Sequence, residues 1–442
     1  MMEAERVVSQ YPAQYEKTAA SLAGQSVAWL QSIRQKALAS FSESGFPSLR
    51  DEEWRYTNVS AIEKKLFSPA VQDEIGAVDV SWLNTYRLEN AWTIVLVDGY
   101  FSEALSNLAG LPDDVQVLSM ANALEQCPND LKNYFGQAVN DELHGFIAFN
   151  SAWFTDGLFV HVPTEHVLAK PVHIIHVATQ AGYMANTRNI VAVDGMAKAE
   201  LVETFIGCDE AYLSSAVTEV FVGKNADLSI SKLQVEGDKA YHFGGTYVVQ
   251  EDNARFEHHN FCFGGLLARN DIHTDLGLAS ECDLNGLYLG VKRQHIDNHT
   301  RINHLKAHAQ SKELYKGVLN QRARGVFQGR VLVAEQAQKT SSEMNNRNLL
   351  LSNDAEADTK PQLEIYADDV KCAHGVTVGQ LDEKSIFYLQ SRCIDEETAR
   401  NMLTFAFANE MVEKVKNKDL HDQVLQQLLE RFPQSGIEQE WL

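Results

Sequence analysis

The stretch Ala199-Glu200-Leu201-Val202-Glu203-Thr204-Phe205 decides the fold, because similar β-rich runs recur on both sides of it at nearly constant distances. Five runs begin 27 or 28 residues apart, and they cover residues 172–177, 199–205, 227–233, 255–261 and 282–289. A second series begins between them, at Ile190, Val217, Thr246 and Ile272, with spacings of 27, 29 and 26 residues. Two interleaved series with one spacing indicate an internal structural repeat.

The repeat favours a coil of β-rungs over other β-rich folds. A β-sandwich places strands about every 8–12 residues and would not show this longer period. The intervening runs are too short and too β-branched for crossover helices, which argues against a TIM barrel or a doubly wound sheet. No proline occurs between Pro171 and Pro361, as suits a continuous sheet interior. We therefore expect stacked rungs over residues 143–380.

Helical patterns flank this central region on both sides. Residues 1–142 are predicted to be mixed and mostly helical, with an amphipathic helix from Val27 to Phe41, a strand at 93–97 and a second helical stretch at 118–135. In residues 381–442, Asp382 and Asp395 are expected to cap two helices, and apolar residues from Leu420 to Phe432 mark a last helix. The broad apolar stripes after Leu381 predict a cap for the β-coil, a docking surface for a partner, or both.

Composition excludes several classes of function. The 442-residue chain carries a formal net charge of −22, so an acidic surface would repel nucleic acid. Neither a signal peptide nor a membrane-spanning apolar run is visible, and we expect a cytoplasmic protein with no membrane partner. The six cysteines form no CxxC pair, which argues against a zinc ribbon, a ferredoxin-type cluster motif or a disulfide scaffold.

Cys372 and His374 are the principal candidate metal ligands. They are two residues apart, so an extended strand would place both side chains on one face. A thiolate beside an imidazole suits iron or zinc. The alternative is a buried cysteine and a hydrogen-bonded histidine, the commoner fate of these residues. Two ligands do not complete a site, so further ligands would have to come from elsewhere in the fold or from another chain.

The other histidines and the search for nucleotide-binding motifs give weaker indications of a functional site. His295, His299, His304 and His308 could form two i, i+4 pairs on a helix, but neither pair brackets a glutamate. On a strand the two pairs would face opposite ways. We expect structural or interface roles for them and for His258-His259. No P-loop, GxGxxG segment opening a helix or GxSxG motif occurs, so the sequence shows no nucleotide site and no serine nucleophile.

Several segments together resemble the SufB/SufD family of the SUF iron–sulfur cluster assembly system. They span nearly the whole chain and are densest between about 310 and 415: residues 45–47, 52–57, 314–317, 324–329, 345–350, 358–370, 372–375 and 387–392. SufB carries a cysteine in its FYCLQ segment, which is regarded as the assembly thiol. Leu389 occupies that place here, and Cys393 lies out of register, so the chain looks like the SufD branch.

The resemblance implies a fold and a set of partners. The fold would be a right-handed parallel β-helix flanked by N-terminal and C-terminal helical domains. The chain would form a heterodimer with SufB through the β-helices and would bind the ATPase SufC through its C-terminal helices. It would be a non-catalytic scaffold subunit. In the absence of SufB, the same edge could join two copies of this chain as a homodimer.

The resemblance also implies a site. Cys372 and His374 match the family's CxHG segment at the SufB–SufD junction, where His374 would assist nascent cluster formation or iron entry. The cluster would be held only transiently in the complex, and the isolated chain would hold no stable cofactor. Flavin has been associated with such assemblies, but no residue in this sequence identifies a flavin site.

Two other classes of function compete with the scaffold. A carbohydrate-active enzyme on a β-helix would need paired carboxylates, for which Asp271, Asp275, Asp283 and Asp297 are available. Their spacing picks out no acid and base. A protein with interaction roles alone, and no part in metal handling, is the other alternative.

Overall fold

The computed structural model describes residues 10–139 and 145–432. The predicted boundary between residues 142 and 143 and the N-terminal residues 1–9 lie outside these ranges. The described chain is mainly β and forms a solenoid of about eight turns. This confirms the predicted coil of β-rungs between helical flanks.

Two ten-stranded sheets form the walls of the solenoid, and successive strands of the chain alternate between them. The order is β19-β17-β15-β13-β11-β9-β7-β5-β4 in one sheet, which β1 joins beside β7, and β20-β18-β16-β14-β12-β10-β8-β6-β2-β3 in the other. The strands are β1 Ser68–Pro69, β2 Trp92–Val97, β3 Tyr100–Phe101, β4 Gln116–Ser119, β5 Leu158–Val162, β6 Val172–Ala178, β7 Tyr183–Val193, β8 Lys198–Gly207, β9 Leu213–Val222, β10 Asp227–Gln234, β11 Tyr241–Gln250, β12 Arg255–Cys262, β13 Leu267–Leu276, β14 Glu281–Gly290, β15 His295–His304, β16 Gln310–Leu319, β17 Arg324–Val333, β18 Ser341–Leu350, β19 Glu356–Ile365 and β20 Lys371–Gly379.

The first predicted series of strands is confirmed, and the second begins earlier than predicted. The first series matches β6, β8, β10, β12 and β14 to within two residues at each end. In the second series, β7 begins at Tyr183 rather than Ile190, and β9, β11 and β13 begin four or five residues before their predicted starts. The early part of β7 holds Asn186, Arg188 and Asn189, all buried. Because these residues are polar, they do not form a recognisable β-rich run in the sequence. The predicted start of β7 is therefore too late.

One corner of the solenoid repeats the same backbone geometry in seven consecutive turns. Its residues adopt positive φ angles of 53–64°, and they are Glu165, Met196, Asn225, Asn253, Ala279, His308 and Lys339. Each donates its N–H to a carbonyl in the corner of the next turn, as from His308 to Gln338 at 2.8 Å and from Lys339 to Asp369 at 2.7 Å. Non-glycine residues rarely adopt this conformation. The hydrogen bonds that repeat along the corner hold it and align each turn on the next.

The described N-terminal helices are α1 Tyr11–Thr18, α2 Ala28–Ser44, α3 Ser60–Lys65, α4 Val80–Asn84, α5 Met120–Gln126, α6 Pro128–Lys132 and α7 Gly145–Trp153. They include the predicted amphipathic helix, as α2, and the predicted stretch at 118–135, as α5 and α6. This region also extends both walls, because β2 pairs with β6 and β4 pairs with β5.

A buried guanidinium fixes the segment before α3 to the outer face of one sheet. Arg269 bonds to Asp271 and to Asp297, each at 2.9 Å, and lies 3.6 Å from the ring centre of Trp54. Thr57 also donates to Asp297, at 2.6 Å. Since a buried charge is costly unless it is paired, this network ties the segment to the sheet with high specificity.

The C-terminal helices are α8 Glu383–Gln390, α9 Glu396–Val412 and α10 Lys418–Arg431. The predicted caps are confirmed, since Asp382 accepts from two backbone N–H groups of α8 and Asp395 from one of α9. Phe405, Met411 and Val412 pack with Phe261 and Leu287 of the even-numbered sheet. Lys316 bonds to Glu410 at 2.5 Å and adds a charged contact to this junction. The stripe on α9 therefore covers the outer wall of the even-numbered sheet and does not cap the end of the solenoid, contrary to the predicted cap. None of these three side chains remains available to a docking partner.

The interior faces of the even-numbered strands form columns, one residue per turn. One column runs Leu201, Ile230, His258, Leu284, Glu313, Met344 and His374, and its neighbour ends in Ser311, Ser342 and Cys372. Large side chains fit where the wall has a glycine. A Cβ atom at Gly286 would collide with the Tyr315 ring, and one at Gly329 would collide with the Met344 sulfur.

Glu313 lies in this interior, and burial raises its pKa to about 8, with the nearby Thr300 hydroxyl opposing the shift. Between pH 4.5, the ordinary pKa of a glutamate side chain, and about pH 8, Glu313 thus keeps its proton in the folded chain but loses it in the unfolded chain. The cost of keeping this group buried therefore grows as pH rises through the interval between these two values. The neighbouring titratable groups, Cys282 and Tyr315, also have raised pKa values and stay neutral there.

We predict that Glu313→Gln makes the protein more stable than wild type at about pH 8, by about 1–3 kcal/mol, and leaves it nearly unchanged at about pH 5. Urea unfolding at the two pH values measures this difference. Glu335→Gln, at an exposed turn position, is the matched control and should change neither value. A loss of stability at the higher pH would mean that Glu313 is ionised and paired in the folded state.

Candidate functional site

Cys372 and His374 lie on β20, the last strand of its sheet, and on the face that continues the solenoid interior. Their register partners on β18 are Ser342 and Met344. Cys372 is half-buried and packs against the interior apolar core, whereas His374 is exposed. The structure thus confirms the predicted strand and brings both side chains to one face at the open end of the solenoid.

The backbone edges of β19 and β20 are open. Lys371 donates to Thr340 at 2.9 Å, so the alternate residues Cys372, His374, Val376 and Val378 direct their peptide groups away from β18. In the described residues no strand pairs with the outer edge of either β19 or β20. Apolar side chains are exposed along these edges: Ile365, Tyr366, Val376 and Val378. An open, partly apolar strand edge is a template for pairing with another chain.

Pro361 lies within β19 and faces the same open edge. Glu356 and Tyr366 donate to carbonyls beside β17, which places the even-numbered peptide groups of β19 inward and Pro361 outward. The proline therefore costs no hydrogen bond within the chain. It does remove one donor from the edge, which is where proline is tolerated in sheets.

The environment of the two candidate ligands differs. Burial raises the pKa of the Cys372 thiol, and the backbone N–H of Ser342 opposes the shift. Across residues 10–139 and 145–432 no cluster of three or more His, Cys, Asp or Glu side chains is arranged to hold a metal ion. Cys372 and His374 alone are too few ligands for a closed site.

The other histidines singled out from the sequence are held within the fold. His295 bonds to Thr57 at 2.9 Å, and His299 bonds to Asp297 at 3.0 Å beneath the segment fixed by Arg269. His304 faces the interior and bonds to Ser311, whereas His308 is exposed at the corner. His258 faces the interior, and His259 lies on the outside beside Glu257. The predicted structural role is confirmed for His295, His299, His304 and His259.

The four aspartates considered for carbohydrate cleavage do not converge. Asp271 and Asp297 flank Arg269 in a buried network, and Asp275 accepts a hydrogen bond from Asn303 at 2.7 Å. Asp283 lies on β14, in the other sheet. The geometry therefore assembles no exposed acid–base pair from them.

The exposed aromatic pair Phe387 and Tyr388 on α8 was not anticipated from the sequence. Their side chains are 71% and 55% exposed. In the sequence, residues 387–392 indicated only the family resemblance. The sequence signal that could have identified the pair is two adjacent aromatic residues in a short helix that starts after the capping Asp382 and precedes α9.

Comparison with known families agrees with this geometry. Residues 176–407 match the family model "SUF system FeS cluster assembly, SufBD core domain", and residues 5–174 match "SufBD protein N-terminal region". The chain belongs to the SufBD family. Its members are components of the iron–sulfur cluster assembly scaffold.

Relatives cover nearly the whole chain. The iron–sulfur cluster assembly protein SufD of Escherichia coli is 32% identical over 412 residues, which are 90% of this chain and 92% of SufD. A SufBD family protein of Synechocystis is 30% identical over 93% of both chains. SufB of Bacillus subtilis is 25% identical over 65% of this chain and 62% of its own. The chain is therefore a SufD homologue in the SufBD family. Among its described residues no helix is both long and apolar enough to cross a bilayer.

We predict an order of reactivity for the cysteines. Cys393 is exposed, Cys372 is half-buried with a raised pKa, and Cys262 and Cys282 are buried. Iodoacetamide should modify Cys393 first, Cys372 about ten-fold more slowly, and the buried pair only after unfolding. Peptide mass spectrometry over a time course measures the order. Equal rates for Cys372 and Cys393 would show that the Cys372 thiol is more open than its packing indicates.

Proposed function

We propose that the chain is a non-catalytic scaffold subunit for iron–sulfur cluster assembly. It pairs with SufB through the open edges of β19 and β20 and binds the ATPase SufC through its C-terminal helices. The observation that carries the proposal is the exposed His374 on the interior face of the last strand, at an edge where another solenoid could continue.

The division of chemistry follows from the ligands present. SufB supplies the thiol that receives sulfur, since Leu389 replaces that cysteine here. His374 offers a neutral imidazole nitrogen, which binds ferrous iron without adding charge. Cys372 serves as a second, weaker ligand or as a packing group at the junction. A site with few ligands from each chain holds its cluster loosely, as a scaffold that passes clusters on requires.

We predict that His374→Ala lowers the iron and sulfide recovered with the purified assembly by about ten-fold, because one ligand to the nascent cluster is lost. Co-purification with SufB and SufC, followed by iron and sulfide analysis, measures the effect. The His374→Ala assembly should keep wild-type stoichiometry.

His308→Asn is the matched control. His308 is also exposed, but it lies at the corner, and asparagine tolerates its positive φ of 64°. This variant should recover wild-type iron. Wild-type iron in an intact His374→Ala assembly would remove His374 from the mechanism and leave a protein with interaction roles alone.

The partner interface is the second part of the proposal. Val376 and Val378 are exposed beside outward-facing peptide groups of β20, so a pairing strand would gain both main-chain hydrogen bonds and apolar contact. Pro361 leaves a gap in the donors of β19, so a partner must match an interrupted edge. The same edge would join two copies of this chain when SufB is absent.

We predict that Val376→Glu with Val378→Glu weakens SufB binding by about ten-fold or more, because two carboxylates would be buried unpaired in the interface. Sedimentation or calorimetry with purified SufB measures the affinity. Val167→Glu, at a valine 60% exposed in an isolated β-bridge near the other end of the solenoid, is the control and should leave binding unchanged. Unchanged binding by the double variant would place the interface elsewhere.

SufC would dock on the face of α8 that exposes Phe387 and Tyr388. The stripe of α9 is covered by the solenoid, so these aromatic rings are the larger apolar groups still open on the C-terminal helices. ATP chemistry would belong to SufC. The cluster is cargo of the whole assembly, and neither the sequence nor the described residues single out a flavin site.

A further inference from the structure

Polar and titratable side chains follow one another through the interior of the solenoid between β8 and β16. On one wall, Glu203 is the register partner of Lys232, and Lys232 is the register partner of Asn260. On the facing wall, Asn270 is the register partner of Asn298. All five side chains are buried. A β-solenoid interior is ordinarily filled by apolar side chains, so this polar row requires an explanation.

Direct hydrogen bonds join the row across the interior. Lys232 Nζ lies 2.7 Å from Asn270 Oδ1 and 2.7 Å from His242 Nε2. One turn further, Asn260 Nδ2 donates to Asn298 Oδ1 at 2.9 Å. These bonds form two separate groups, one around Lys232 and one between Asn260 and Asn298, and several polar atoms beside them have no protein partner.

Several interior atoms make no hydrogen bond to any group in the described residues. They are His176 Nε2, Glu203 Oε1, Nδ1 and Nε2 of His258, Asn260 Oδ1, Asn298 Nδ2 and Tyr315 Oη. Leaving so many buried groups unsatisfied would cost a large share of the stability of a typical folded domain. Folded proteins satisfy such groups with bound water when protein partners are lacking.

A cavity marks one end of the row. It has a volume of about 10 Å³ and is lined by His176, Phe205, Ser214 and Thr187, among others. That volume is about the minimum for one water molecule. The ring of His176 stacks on that of Phe205 with centroids 4.1 Å apart, and its unpartnered nitrogen is available to a water there.

We propose that the interior of the solenoid binds a chain of water molecules from the cavity beside His176 to Glu313, and that protons move along this chain. Waters bridge the unpartnered atoms of Glu203, His258, Asn260 and Asn298 and reach Glu313 through Tyr315. Exchange needs no other reactant: Glu313 gives its carboxylic proton to a water while the same chain returns one. The proposal does not depend on any role of His374.

A crystal structure of the full chain at high resolution tests the waters directly. We expect ordered waters within hydrogen-bond distance of His258, Asn260, Asn298 and the cavity beside His176. An interior without water density, in which these side chains instead bond to one another, would overturn the proposal. Because this experiment uses the wild-type chain, it does not depend on any variant folding.

Infrared spectroscopy tests the movement of protons. The carboxylic C=O band of Glu313 is identified as the difference between wild type and Glu313→Gln at neutral pH. After transfer to D₂O, a water chain predicts that this band shifts to its deuterated position within the mixing time. A band that shifts only as slowly as the protected backbone amides would mean that Glu313 exchanges by unfolding, and would overturn the proton path.

Discussion

Parallel rungs can complete their backbone hydrogen bonds only on a neighbouring rung, and this constraint organises the molecule. Each strand from β8 to β18 has a partner on both sides, so the interior turns are self-sufficient. The strands at the two ends of the solenoid have a neighbouring strand on one side only. At the first end, β3 and β4 pair antiparallel with their neighbours and terminate the sheets within the chain. At the other end β19 and β20 terminate in open edges. The first end therefore stops at two short antiparallel strands, whereas the other presents two long parallel edges that could pair with a partner.

The flanking regions restrict where a partner can bind. Arg269 and Trp54 fix an N-terminal segment on one outer wall, and Lys316 with Phe405 joins the C-terminal helices to the other. Buried ion pairs add little net stability, but removing one partner is costly, so they specify one arrangement. With part of each outer wall covered in this way, the seam at β19 and β20 offers the longest open strand edges among the described residues.

The repeat, the sheet class and the helix caps could be predicted from the sequence because each depends on local pattern. β8 and β10 have β-rich runs at constant spacing, and Asp382 and Asp395 precede amphipathic helices. The starts of β7, β9, β11 and β13 could not be predicted in the same way. In β7, Arg188 and Asn189 are buried polar residues whose partners are distant in sequence. The same reason hides the fate of His299 and Asp297. Both residue types can carry acid–base or metal-binding chemistry, and only the fold shows that Arg269 and Thr57 bond to Asp297 and that His299 bonds to the same carboxylate.

The candidate site is a consequence of register more than of local sequence. His374 faces the interior side because its column descends from Leu201 through Glu313 and Met344 without a slip. A shift of one residue in any rung would turn every later side chain to the opposite face. The repeated corner, down to the bond from Lys339 to Asp369, prevents that shift at each turn. Corner residues far from the open edge therefore determine whether an imidazole or its exposed neighbour Ala373 meets the partner.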